Sequence, residues 1–172
     1  MASVKIRNTD PSFYSFSDPS TPIIEDFEGF EGNQSLAAWS DGGLTWVGFD
    51  DGSSGLIGAR SYQDALGILT PSEAVFQTSF RNSSEQSIPA LKIEFEAQHW
   101  RRFTNGSEDR LQMSLLKDGK QIAIPELDFQ PSTVGQNGQL SPFVTQLKSA
   151  YFRNLDLNSG DEFALQIKVI PG

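Results

Sequence analysis

"LKIEFEAQHWRR", residues 91–102, alternates apolar and polar side chains and then breaks into a histidine, a tryptophan and two arginines. Leu91, Ile93, Phe95 and Ala97 fall on one side of an extended chain, and Lys92, Glu94, Glu96 and Gln98 on the other. A period of two with one apolar and one charged side predicts a half-buried antiparallel strand. His99 shares the parity of the apolar row and Trp100 that of the polar row. A strand that continues to its end therefore aims the imidazole inward and the indole outward.

The same period recurs on either side. "EAVFQTSFRN" (73–82) puts Phe76, Thr78 and Phe80 on one face, with Val75, Gln77 and Ser79 on the other. "RLQMSLLKDGKQIAI" (110–124) reads as a hairpin: Leu111, Met113 and Leu115 face inward, Asp118-Gly119 forms the tight turn, and Ile122 and Ile124 return. "DEFALQIKVI" (161–170) alternates through Phe163, Leu165, Ile167 and Val169. Gly-, Ser- and Asn-rich turn clusters separate these runs, among them "DDGSSG" (50–55), "RNSSEQS" (81–87) and "LNSGDE" (157–162). Only "SYQDALGIL" (61–69) and "SPFVTQLKSAYF" (141–152) have a helical look. The second spaces Phe143, Leu147 and Tyr151 four apart, and reads equally well as a strand running into "YFRNLDL". The expected fold is all-β: an antiparallel β-sandwich, jelly-roll-like, with at most one short helix. Residues 1–23 form an N-terminal extension or first strand, and 24–172 a single domain.

Composition narrows the functional classes. A chain of 172 residues is one domain's worth and buries a core without staples. With 22 acidic against 13 basic side chains the formal charge is −9, which disfavours nucleic acid and anionic membrane surfaces as partners. The absence of cysteine removes disulfides, thiolate metal sites and Cys nucleophiles from this chain. No apolar run is long enough for a membrane-spanning helix, and "MASVKIRNTDPSFYSF" has no apolar core of a signal peptide.

Catalytic chemistry finds little to stand on. His99 is the only histidine, so a Ser-His-acid triad has to use it, and its parity aims it at the core. Neither a GxSxG nor an HExxH pattern occurs. Glu94 and Glu96 are same-face neighbours roughly 7 Å apart along the strand, a spacing open to a glycosidase, although any polar sheet face produces it. No catalytic residue is assigned, and no cofactor is required. "GFDDGSSG" (48–55) clusters acidic oxygens and glycines without the EF-hand order. Glu25, Asp26, Asp50 and Asp51 are the residues to which a structural Ca²⁺ would be assigned, against the plainer reading of solvated turns. "NSS" (82–84) and "NGS" (105–107) fit the N-glycosylation sequon.

A ligand platform is better supplied. Trp100 beside Glu94, Glu96, Gln98, Arg101 and Arg102 has the composition of a sugar-binding surface, where the indole stacks on a pyranose and fixed polar groups bond its hydroxyls. The plainer alternative has Trp100 capping the sheet edge and the arginines pairing with Glu96, Glu108 or Asp109. Trp39 and Trp46, in "LAAWSDGGLTWVGF", are either a second platform or core and turn packing.

The order of these pieces resembles a family of bacterial extracellular β-sandwich domains found in PEP-CTERM-sorted and other multi-module surface proteins. The carriers are "IIEDFEGF", "LTWVGFDDGSSG", "DALGIL", "VFQTSFRNSS", "IPALKIEFEAQHWRR", "DRLQMSL" and "LDLNSGDEFALQI", together covering about residues 24–170. The last strand departs from the group in lacking a W-x-D-type ending. The resemblance implies a jelly-roll-like sandwich in an extracellular or cell-surface setting and assigns no catalytic residue. A cytoplasmic or virion setting is the alternative. The expected function is a non-catalytic module binding a polysaccharide, glycan or extracellular polymer. Second comes a structural or assembly module contacting a protein partner or its own copies, in a surface layer or phage-type particle. A glycoside-active enzyme is third.

Overall fold

The computed structural model describes residues 13–24, 39–40, 46–49, 58–62, 65–99, 109–130 and 144–172. Eleven strands and one 3₁₀ turn account for most of them: β1 (Tyr14–Phe16), β2 (Trp39–Ser40), β3 (Trp46–Phe49), β4 (Gly58–Tyr62), β5 (Ala65–Leu69), β6 (Ala74–Asn82), β7 (Ile88–His99), β8 (Arg110–Lys117), β9 (Lys120–Ala123), the 3₁₀ turn (Pro125–Leu127), β10 (Val144–Leu157) and β11 (Glu162–Ile170). The fold is all-β and sandwich-like, as the period-two pattern predicts.

The main sheet runs β1-β6-β11-β8-β9, with β2 also pairing with β6. Its register stacks the predicted inward rows. Phe163, Leu165 and Ile167 stand opposite Phe80, Thr78 and Phe76 on one side, and Leu165 and Ile167 opposite Leu115 and Met113 on the other. The β8–β9 turn has both central residues at positive φ, Asp118 at 52° and Gly119 at 71°, the backbone that Asp-Gly supplies in a two-residue hairpin. Of the returning strand, Ile124 is buried, but Ile122 is 46% exposed because β9 is the sheet's edge. Most ladders among the described residues are antiparallel. The exceptions are β1 on β6 and β3 on β4, which run parallel.

Over this sheet lies a second layer, the two-stranded ribbon of β7 and β10. Leu91 from β7 and Ala150, Leu155 and Leu157 from β10 share one core with Met113, Leu115, Leu127, Phe163 and Leu165. Full burial of a leucine contributes about 1.5–3 kcal/mol, so Leu115, Leu127 and Leu157 are the layer's principal fasteners. The far end of the main sheet's inner face, at Ala74 and Phe76, is covered instead by Trp39 and by Leu66 and Ile68 of β5.

Two segments with a helical look are strands. "SYQDALGIL" contributes to the β4–β5 hairpin, and most of "SPFVTQLKSAYF" lies in β10. A four-residue spacing returns to the same side in a strand as well as a helix, and the long ladder to β7 decides for the strand.

The ribbon changes parity part-way. Inward positions on β10 are even up to Phe152, then odd at Leu155 and Leu157. The switch falls at a bulge between Arg153 and Leu157, where Asn154 (φ 61°) and Asp156 (φ 45°) adopt left-handed backbone. Opposite it stands Pro89, which has no N–H to give a ladder. β7 switches there as well, since Ile88 is buried while Pro89 and Ala90 are exposed.

Candidate binding face on the outer side of the ribbon

The outer face of the ribbon is assembled by register. Lys92 stands opposite Tyr151, Glu94 opposite Ser149, Glu96 opposite Leu147 and Gln98 opposite Thr145. Cross-strand neighbours of this kind lie close enough to interact directly. The polar row is internally bonded. Lys92 pairs with Glu94, Ser149 bonds the same carboxylate, and Gln98 Nε2 donates to Glu96 Oε1 at 2.6 Å.

The hydrogen bond from Lys92, and then its charge, hold the Glu94 carboxyl below its ordinary value. The same contact raises the Lys92 ammonium. A glycosidase acid needs the opposite shift, upward, to keep its proton near neutrality. The pair thus favours Glu94 as an anion and hydrogen-bond acceptor.

Two large apolar side chains stand out of this polar row. Tyr151 is 68% exposed and Leu147 is 70% exposed. The Lys92 ammonium lies 5.9 Å from the Tyr151 ring centroid, at the outer limit of a cation–π contact. Tyr151 and Leu147 have no place in the residue set drawn from β7, although "QLKSAY" carried the signal. Once it is a strand, its apolar residues at four-residue spacing share a face, and the partner strand makes that face the charged one.

The expected inward aim of His99 is realised: it is 8% exposed, and its Nε2 shares a 2.8 Å hydrogen bond with Asp109 Oδ2. The other oxygen of Asp109 accepts the Gly172 backbone N–H at 2.9 Å. Asp109 is thus engaged by histidine and backbone. Trp39 packs against the Ala74/Phe76 cluster, and its indole N–H donates to the Tyr14 hydroxyl at 3.1 Å, which makes it a packing residue.

Asn82 settles one of the two sequons. It is fully buried, its amide nitrogen donates to the Gln86 and Leu157 carbonyls at 2.8 and 2.9 Å, and its oxygen accepts from the Ser84 N–H and hydroxyl. An asparagine with its amide committed inside the fold has no nitrogen to offer an oligosaccharide. This side chain ties the β6–β7 corner to the end of β10.

Glu94, Glu96 and Gln98 are therefore brought together on one exposed face. Trp100, Arg101 and Arg102, the Ca²⁺ candidates Glu25, Asp26, Asp50 and Asp51, and the second sequon at Asn105 lie outside the described residues. Among the described residues no group of three or more acidic or histidine side chains is placed to hold a metal ion. No helix among them is long and apolar enough to cross a membrane. No family model, curated protein or solved structure matches the chain.

Proposed function

We propose that this chain is a non-catalytic binding module for a polysaccharide or other extracellular polymer, and that it binds on the outer face of the β7–β10 ribbon. The observation that carries the reading is Tyr151, an aromatic ring left 68% exposed on a strand beside an ordered row of hydrogen-bonding groups. An aromatic ring stacks on the apolar face of a sugar, while Glu94, Glu96, Gln98 and Ser149 offer acceptors and donors at fixed positions. Trp100, Arg101 and Arg102 follow β7 in sequence and belong to the proposal on their chemistry. Pre-bonded polar groups suit orientation of a ligand better than proton transfer.

A glycan array or affinity electrophoresis on a polysaccharide panel tests this, with the wild type beside Tyr151→Ala and Trp100→Ala. Loss of one stacking ring is expected to weaken binding by about tenfold. Retention by both variants equal to that of the wild type would remove the two rings from the site and the proposal with them.

A further inference from the structure

We propose that two copies of this chain pair edge to edge along β10, in an antiparallel ladder centred on Ser149, to form a dimer with one continuous four-stranded layer. Among the described residues β10 pairs only with β7, and no described strand takes the other edge of its 14 residues; an edge of that kind is a template for a further strand. The inference does not rest on the carbohydrate reading, but it draws on the same exposed Tyr151, so a second copy and a bound polymer compete for that ring.

Self-complementarity of the strand selects a second copy as the occupant. A two-fold axis at Ser149 sets Leu147 opposite the partner's Tyr151 and Tyr151 opposite the partner's Leu147. The two large exposed apolar side chains of the ribbon are thereby covered twice over by one symmetry operation. Ser149 meets its own copy at the centre. The cations are also accommodated, since Lys148 faces the partner's Ala150 and Arg153 faces the partner's Thr145, so no like charges oppose each other. The edge of β7 offers a charge match about Ile93, where a two-fold sets Lys92 against the partner's Glu94, but Lys92 and Glu94 are already paired within the strand and that register leaves Leu147 and Tyr151 exposed. A two-fold at Glu94 sets that carboxylate against its own copy, and one at Phe95 sets Glu94 against the partner's Glu96. Charges of this kind are how sheets blunt an edge: the outward row of β7 carries Lys92, Glu94 and Glu96, where that of β10 carries Leu147, Ser149 and Tyr151. The β9 edge is only four residues long and begins with Lys120.

The register makes the test specific. Sedimentation velocity of the wild type at about 100 µM, a concentration that reveals even a weak dimer, is expected to give twice the 18.9 kDa chain mass. Leu147→Lys is expected to raise the dimer dissociation constant by about tenfold or more. Adding Tyr151→Glu to it places lysine opposite glutamate twice and restores the dimer. Because the chain has no cysteine, Ser149→Cys gives a clean second readout. Mild oxidation is expected to yield a covalent dimer, whereas Thr145→Cys, which this register sets opposite arginine, stays uncrosslinked. A monomeric wild type overturns the proposal. So does a dimer indifferent to Leu147→Lys, a charge pair that fails to restore it, or equal crosslinking at the two cysteine positions.

Discussion

Asn82 shows how much one side chain can hold. Its amide bonds two carbonyls and accepts two donors inside the protein, so it joins the β6–β7 corner to the last residue of β10. In Asn82→Asp a carboxylate replaces the two N–H donors and faces the Gln86 and Leu157 carbonyls. The expected loss is about 3–4 kcal/mol of unfolding free energy, from unsatisfied buried groups and an unpaired charge, measured by chemical denaturation. A loss below about 1 kcal/mol, the range of an ordinary surface change, would contradict the role given to this residue. Lys92 and Glu94 act on the surface instead. The Glu94 carboxyl sits below 4.5 in the fold, so its small contribution is present above that pH and is lost as pH falls through the folded value. The Lys92 contribution is present below 10.5 and is lost as pH rises through its raised value. Lys92→Met is therefore expected to return the Glu94 midpoint upward toward 4.5 in an NMR titration. An unmoved midpoint would mean that the pair does not form in solution.

The ribbon of β7 and β10 is where alternation in the sequence is most and least informative. Along β7 from Leu91 to His99 every residue with an inward parity is buried or half-buried, because a continuous strand has no means of changing sides. The reading is incomplete at the bulge. Nothing in the spacing of "YFRNLDL" announces that Asn154 and Asp156 take left-handed backbone, although Asn and Asp are the residues that tolerate it. Nor does period two reveal which strand becomes the neighbour of β7. The face was thus legible only in its β7 half, and Tyr151 and Leu147 enter through a pairing some fifty residues away in sequence. The bulge makes its own prediction. By strand propensity Asn154→Val should help, but at positive φ a β-branched residue is expected to cost about 1–2 kcal/mol while Asn154→Gly stays near neutral. A valine variant as stable as the glycine variant would show that the left-handed turn is not formed.

At the level of the molecule, two layers share a single partition of side chains: Phe- and Leu-rich rows between them, and charged or hydrogen-bonded rows outside. Asp118-Gly119, the alternating rows of β6, β8 and β11, and the single short 3₁₀ turn all follow from local rules of turn chemistry and periodicity. The burial of Ile124 beside the exposure of Ile122 does not, because it depends on where the sheet ends. The proposed binding face exists only if the ribbon turns one side to water up to the bulge and the opposite parity inward beyond it. Leu147 and Leu157 expose that claim most directly, being the same residue type at the same parity on the same strand, one 70% exposed and the other fully buried. Chemical denaturation of Leu147→Ala and Leu157→Ala in dilute solution measures the difference. Leu157→Ala is expected to lose about 2–5 kcal/mol and Leu147→Ala to stay within about 0.5 kcal/mol of the wild type. Similar losses from the two substitutions would contradict the partition and everything built on the ribbon's outer face.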